Sequence, residues 1–161
     1  MCLARVWTDE EMEEWLAGQG EVVEVWKVVH QEQQRYYSPL YVPVKAYKAG
    51  LNNIAKREKI TATCDSQYYA GFHFFLLNEK THSNFRNCFL TKSPAVIKCL
   101  LKKDWITAMG DSGYLGESGI LTSVVALRAV FPHHPETEAR YEDLPQESQE
   151  AMARMSKGDS K

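Results

Sequence analysis

Apolar positions in this chain gather into a few dense runs, separated by polar stretches that glycine and proline punctuate. The densest is Tyr69-Ala70-Gly71-Phe72-His73-Phe74-Phe75-Leu76-Leu77, an aromatic-rich segment entered through glycine that predicts a core strand with one imidazole among apolar neighbours. Val22 to His30 is rich in β-branched residues and apolar on both faces over much of its length, which predicts an interior strand in the middle of a sheet. Ala95 to Leu101 predicts another strand, Trp105 to Met109 the next or its continuation, and Ile120 to Phe131 the last, ended by Pro132. Cys2 to Val6 predicts a short opening strand. Helical spacing replaces the two-residue period at Thr8. Thr8 and Glu11 form a capping box, Met12, Trp15 and Leu16 share one face, and Gly18 and Gly20 stop the helix.

The polar stretches predict the connections. Gln31 to Arg35 is a connector, and Tyr36 to Pro43 is extended backbone whose prolines confine it to an edge or a loop. Gly50 to Asp65 reads as a polar loop with a helical turn near Ile54 to Lys59. Asn78 caps a short helix to about Asn87 with Phe85 turned inward, and Pro94 ends the loop that follows. Gly110 to Gly119 holds four glycines in ten residues and predicts a mobile loop. From His133 onward the chain is charged and polar, with Asp143 able to cap and Pro145 able to open a helix whose apolar contacts are Leu144, Met152 and Met155. The expected fold is α+β: a single domain over residues 1–131, built on a mixed, mostly antiparallel twisted sheet, continuous or split, with a few short helices packed on it. Residues 132–161 are expected as a tail that is partly helical or disordered.

Composition narrows the function. With 161 residues, 44% hydrophobic and 25% charged, the chain can bury one sizeable core and lies far from disordered compositions. Nineteen Lys and Arg against 21 Asp and Glu give a charge of -2, without the positive field that phosphate-backbone binding needs, so no direct nucleic-acid binding is expected. No apolar run approaches the ~20 residues of a bilayer span, and the opening residues lack a secretion signal, so a cytoplasmic protein without membrane contact is expected. Four scattered cysteines, Cys2, Cys64, Cys88 and Cys99, suit a reducing compartment.

Candidate chemistry is sparse. Burial in a strand holds the His73 imidazole neutral, which suits either a general base or a core histidine satisfied by a carbonyl or a tyrosine hydroxyl. Cys64, His73, His82, Cys88 and Cys99 are ligand types that zinc accepts, but none forms the close pairs of a structural site, and no metal is expected. His133 and His134 fall on a turn between prolines, expected to be solvated. Cys2 is either a nucleophile beside a free amine after methionine removal or the start of a strand. Asp111 and Glu117 lie in the glycine-rich stretch, where a carboxylate can approach a ligand or simply face solvent. Tyr36, Tyr37 and Tyr41, with Tyr114 in the glycine-rich stretch, are either core-edge packing or a binding platform.

The opening Met1-Cys2-Leu3, Val25-Trp26-Lys27-Val28, Tyr37-Ser38-Pro39-Leu40-Tyr41, Tyr47-Lys48-Ala49-Gly50, Gly71-Phe72-His73-Phe74-Phe75 and Val96-Ile97-Lys98-Cys99 together resemble a scattered group of small phage and prophage accessory proteins. That resemblance implies a protein that binds a host or defence-system partner and modulates it, acting in host takeover or anti-defence within the host cytoplasm and using no cofactor. More remotely, Gly71-Phe72-His73-Phe74 and Glu117 are similar to motifs of the ADP-ribosyltransferase-like fold, whose split mixed sheet carries a glycine-entered aromatic strand and a late glutamate. The chain departs from that pattern at Trp26-Lys27, where a nicotinamide-ribose anchor would stand, and at His73, near the place of a stacking tyrosine. This second likeness implies an alternative: an enzyme using NAD to modify a host macromolecule, with His73 and Glu117 as its catalytic pair.

Overall fold

Thr8 and Glu11 form the reciprocal cap that their spacing predicts. In the computed structural model, which describes residues 3–37, 46–54, 58–62, 65–76, 94–116, 119–134 and 137–158, a two-residue strand β1 (Arg5–Val6) leads into this cap and then into helix α1 (Asp9–Ala17). The Thr8 hydroxyl accepts from the Glu11 N–H, the Glu11 carboxylate accepts from the Thr8 N–H, and Gly18 closes the helix.

Strand β2 (Val22–Glu32) runs two residues past its expected end. It then reverses through Gln33 and Gln34, both left-handed at φ 48° and 64°, into β3 (Arg35–Tyr37), so the expected connector is a tight hairpin. Two successive positive φ values match the twist of flanking strands, which is why this turn works despite lacking Asn or Gly. The stretch expected as a loop from Gly50 to Asp65 holds β4 (Gly50–Asn53) and β5 (Lys59–Thr61) instead; of the expected turn over Ile54 to Lys59, residues 55–57 lie outside the described residues. β4 tolerates its polar sequence because the Asn52 side chain accepts from the Lys48 N–H at 2.8 Å and donates to the Gly50 carbonyl at 3.0 Å. Strands β6 (Gln67–Tyr69), β7 (Phe72–Phe75) and β8 (Pro94–Lys102) follow; β7 is the middle of the predicted aromatic strand, whose first residue, Tyr69, belongs instead to β6. The helix expected over Asn78 to Asn87 lies outside the described residues.

After a 3-10 turn at Lys103–Trp105, β9 (Ile106–Gly116) and β10 (Gly119–Ala126) form a hairpin. The glycine-rich stretch from Gly110 to Gly116 is therefore strand rather than loop. Gly110 is there because the paired strand β1 comes close, with Val6 opposite it: an added Cβ would fall inside contact with the Arg5 carbonyl oxygen. Gly71 has the same role beside β10, where a Cβ would sit 2.6 Å from the Ala126 carbonyl oxygen.

The expected last strand is two. Leu127 separates β10 from β11 (Arg128–Phe131), and the two halves take different neighbours. In sheet order β1-β9-β10-β7-β2-β8-β11-β4, three strands stand between β10 and β11, while β3 pairs with β2 off this path. Laid flat at ~4.8 Å per strand, those two could not be joined by one residue. The sheet must curl so that this bent strand crosses it. Every pairing among the described strands is antiparallel, so the mixed sheet expected from sequence is purely antiparallel here and more β-rich than expected.

The main core lies inside the curl and gathers Val25, Val29, Phe74, Cys99, Leu101, Met109, Val124 and Phe131. Helix α1 lays Met12, Trp15 and Leu16 against it, all only half-buried. The separate ribbon β5–β6 packs Ile60, Ala62 and Tyr68 with Leu3, Ala108 and Val125. Beyond β11, a 3-10 turn (Tyr141–Asp143) and helix α2 (Gln146–Gly158) follow. The stretch before α2 is docked rather than loose: Ala139 and Leu144 belong to the main core, and His133, exposed as expected, pairs with Asp143 at 2.5 Å.

Because backbone crowds Gly110, Gly110→Ala should destabilise the fold by about 2 kcal/mol or more, lowering the melting temperature by roughly 4–8 °C. Gly20, whose added Cβ would meet nothing nearer than 3.9 Å, is the control; its alanine variant should melt close to the parent in the same calorimetric scan.

Candidate functional site

His73 sits on β7 with its ring on the face opposite Phe72 and Phe74, as strand alternation dictates. Its Nε2 lies 3.1 Å from the Tyr68 hydroxyl, and that hydroxyl accepts from the Leu3 N–H at 3.0 Å. The ring also bonds the Gly71 backbone; with Nδ1–H donating there, Nε2 accepts from the Tyr68 hydroxyl. Burial first, and then the charge of Lys27, push the imidazole down to about 3. The histidine is satisfied by a tyrosine hydroxyl and a carbonyl, and the pair clasps the β5–β6 ribbon to the sheet.

Sequence reasoning missed the group beside it. β2 presents Val23, Val25, Lys27 and Val29 to the main core, and Lys27 is only 6% exposed. Its Nζ donates to the His73 carbonyl at 2.8 Å and lies 5.4 Å from the Phe74 ring centre and 5.7 Å from that of Tyr47. A carbonyl and two ring faces replace water around an ammonium only in part. Desolvation accordingly lowers its pKa from 10.5 to about 8, roughly 3 kcal/mol held against folding at neutral pH. A lone lysine in a β-branched run signals this only if its neighbours on both sides are known to be sealed.

The other candidates disperse. Of the two readings of Tyr36, packing or a binding contact, the first holds and the contact is corrected: it is 3% exposed, part of the main core, and its hydroxyl has no hydrogen-bond partner among the described residues. It is drawn in because β3 folds back along β2, and burial raises its phenol to about 12. Tyr37 and Tyr114 lie on β3 and β9, but their side chains, together with Tyr41, Glu117, Cys2, Cys64, His82 and Cys88, are outside the described residues. Cys99 is fully buried and its thiol is pushed up by desolvation. Asp111 is taken by Arg5 at 3.0 Å. Among the described residues no group of three or more His, Cys, Asp or Glu is placed to hold a metal ion, and no helix is long and apolar enough to cross a membrane.

Among the described residues a shallow groove has the residues of a site. Between β1 and α1 lies a groove of about 300 Å³ lined by Arg5, Trp7, Glu11, Glu14 and Trp15. Both indoles are half-buried, leaving part of each ring for a ligand. The Arg5 guanidinium donates to both oxygens of Glu11 at 3.1 Å and to Asp111 at 3.0 Å, which raises its own pKa. Glu11 is held below the usual carboxylate range by the Thr8 N–H and then by Arg5. Glu14 has no partner among the described residues. The arrangement offers aromatic faces and uncompensated negative charge. The sequence carried both signals, but helical spacing assigned Trp15 to the core face alone.

Two titrations follow from the buried groups. Between pH 8 and 10.5 the unfolded chain holds the Lys27 proton that the folded chain has released, so this group makes stability rise with pH across that window. Lys27→Met should gain about 1–2 kcal/mol at pH 7 in urea unfolding, and the gain should shrink as pH approaches 10.5; a gain independent of pH would contradict the assignment. For His73 the folded pKa of about 3 lies below the ordinary 6.5. Its contribution is complete above pH 6.5 and falls away toward pH 3, losing about 2 kcal/mol by pH 5. The neutral variant His73→Gln should flatten that acid limb in the same measurement.

No family model, no curated protein and no solved structure matches this chain.

Proposed function

We propose that this protein acts by binding another protein, and that the groove between β1 and α1 is its contact surface. The carrying observation is that groove of about 300 Å³, with two half-buried tryptophans in its wall. Tryptophan is enriched at the energetic centres of interfaces, because a large rigid ring gains contact area at little entropic cost. The helix that forms one wall supports the reading. α1 has no fully buried residue, so its apolar side is incompletely covered by its own chain. In the setting that the likeness to phage and prophage accessory proteins implies, the partner is a host or defence-system protein. The NAD-using alternative has no specific observation in its favour among the described residues: the His73 lone pair is engaged by Tyr68.

Immobilised protein exposed to bacterial lysate should retain one stoichiometric partner, and Trp15→Ala should lose it. Ile120, 59% exposed on β10, provides the control, since Ile120→Ser should retain the same partner. No stoichiometric capture, or capture indifferent to Trp15→Ala, would count against the proposal.

A further inference from the structure

Resting on the reading of the groove as a docking surface, we infer that its occupant is an arginine side chain carried by a segment of the partner protein. Charge around the groove is unbalanced. The groove is lined by two carboxylates, Glu11 and Glu14, against one guanidinium, Arg5, whose Nη1 is engaged by Glu11 and whose Nε is engaged by Asp111. Glu14 is left over, and it projects beside Trp15 in the groove wall.

The helix is well capped at its start but poorly arranged beyond its first turn. Five of its nine residues are acidic, and no basic residue stands in its last turn. Asp9 with Glu13 and Glu10 with Glu14 are like-charged neighbours one turn apart, an arrangement unfavourable in an isolated helix. Glu14 also lies near the negative end of the helix dipole. A bound cation relieves both defects, whereas an anion or a phosphate backbone would worsen them.

Two features select arginine among cations. A hard metal ion seeks several oxygen ligands and gains little from an indole, so two tryptophans in the wall argue for an organic cation. A guanidinium stacks on an aromatic face while pairing its edge with a carboxylate, the two surfaces that Trp7, Trp15 and Glu14 supply together.

The test follows the four indole N–H signals of the 15N-labelled protein during titration with blocked six-residue peptides: two arginines in alanine, two glutamates in alanine, and alanine alone. The arginine peptide should move the Trp7 and Trp15 signals and leave Trp26 and Trp105 in place. Glu14→Gln should weaken that binding about threefold or more, and 0.5 M salt should weaken it similarly. Unmoved Trp26 and Trp105 signals in the variant establish that it folds. Silence of Trp7 and Trp15 toward the arginine peptide, or an equal response to the glutamate or alanine peptide, would overturn the inference. If the Trp15-dependent partner is still captured from lysate, only the arginine inference falls; if capture is also lost or indifferent to Trp15→Ala, the docking surface falls with it.

Discussion

The architecture depends on one bend. Leu127 alone joins β10 to β11, and those strands pair with partners on opposite sides of β7, β2 and β8. Its N–H donates to the Trp105 carbonyl at 3.0 Å, and its carbonyl accepts from the Ile54 N–H at 2.9 Å, so both backbone groups at the corner are satisfied. The curl it enforces gives an antiparallel sheet an inside, and that inside is where Phe74, Phe131, Cys99 and Lys27 meet. It also sets an outer face on which the β5–β6 ribbon is fastened through Tyr68 and His73. The ammonium and the imidazole are thus near neighbours served by the two faces of one strand: Lys27 takes the His73 carbonyl while Tyr68 takes its ring.

Much of this was legible in the sequence where one physical signal dominates. The capping box at Thr8 and Glu11, the β-branched run of β2 and the aromatic β7 follow from local pattern, and their environments agree with it. The failures have a common cause: the deciding partner is remote in sequence. Glycines at 110, 113 and 116 look like loop chemistry, yet Gly110 is demanded by the close approach of the paired strand β1. Gln33 and Gln34 carry none of the residues favoured for a left-handed pair, so the hairpin after β2 is imposed by the ladder around it. Leu127 is one more apolar residue in a long run, and nothing near it marks a corner.

The candidate chemistry shows the same division. His73 was singled out because an imidazole among phenyl rings is conspicuous, but its role depends on Tyr68 from the neighbouring ribbon. For Tyr36 the sequence leaves packing and surface contact both open, and the β2–β3 hairpin, which no local signal marks, decides for packing. The tryptophan groove needed the opposite correction. Trp15 does face the core, as helical spacing says, but the helix sits too lightly to cover it, and the space beside Trp7 is left open with a carboxylate at its rim.

The ladder between β2 and β8 links Val22 to Lys102 and His30 to Pro94, residues that are far apart along the chain. Such a pairing closes a long loop before any of its hydrogen bonds can compensate for the lost freedom. High contact order slows folding, so the step that brings these two central strands together is the natural kinetic bottleneck. Until it is complete, the unpaired edges of both strands are open to neighbouring chains.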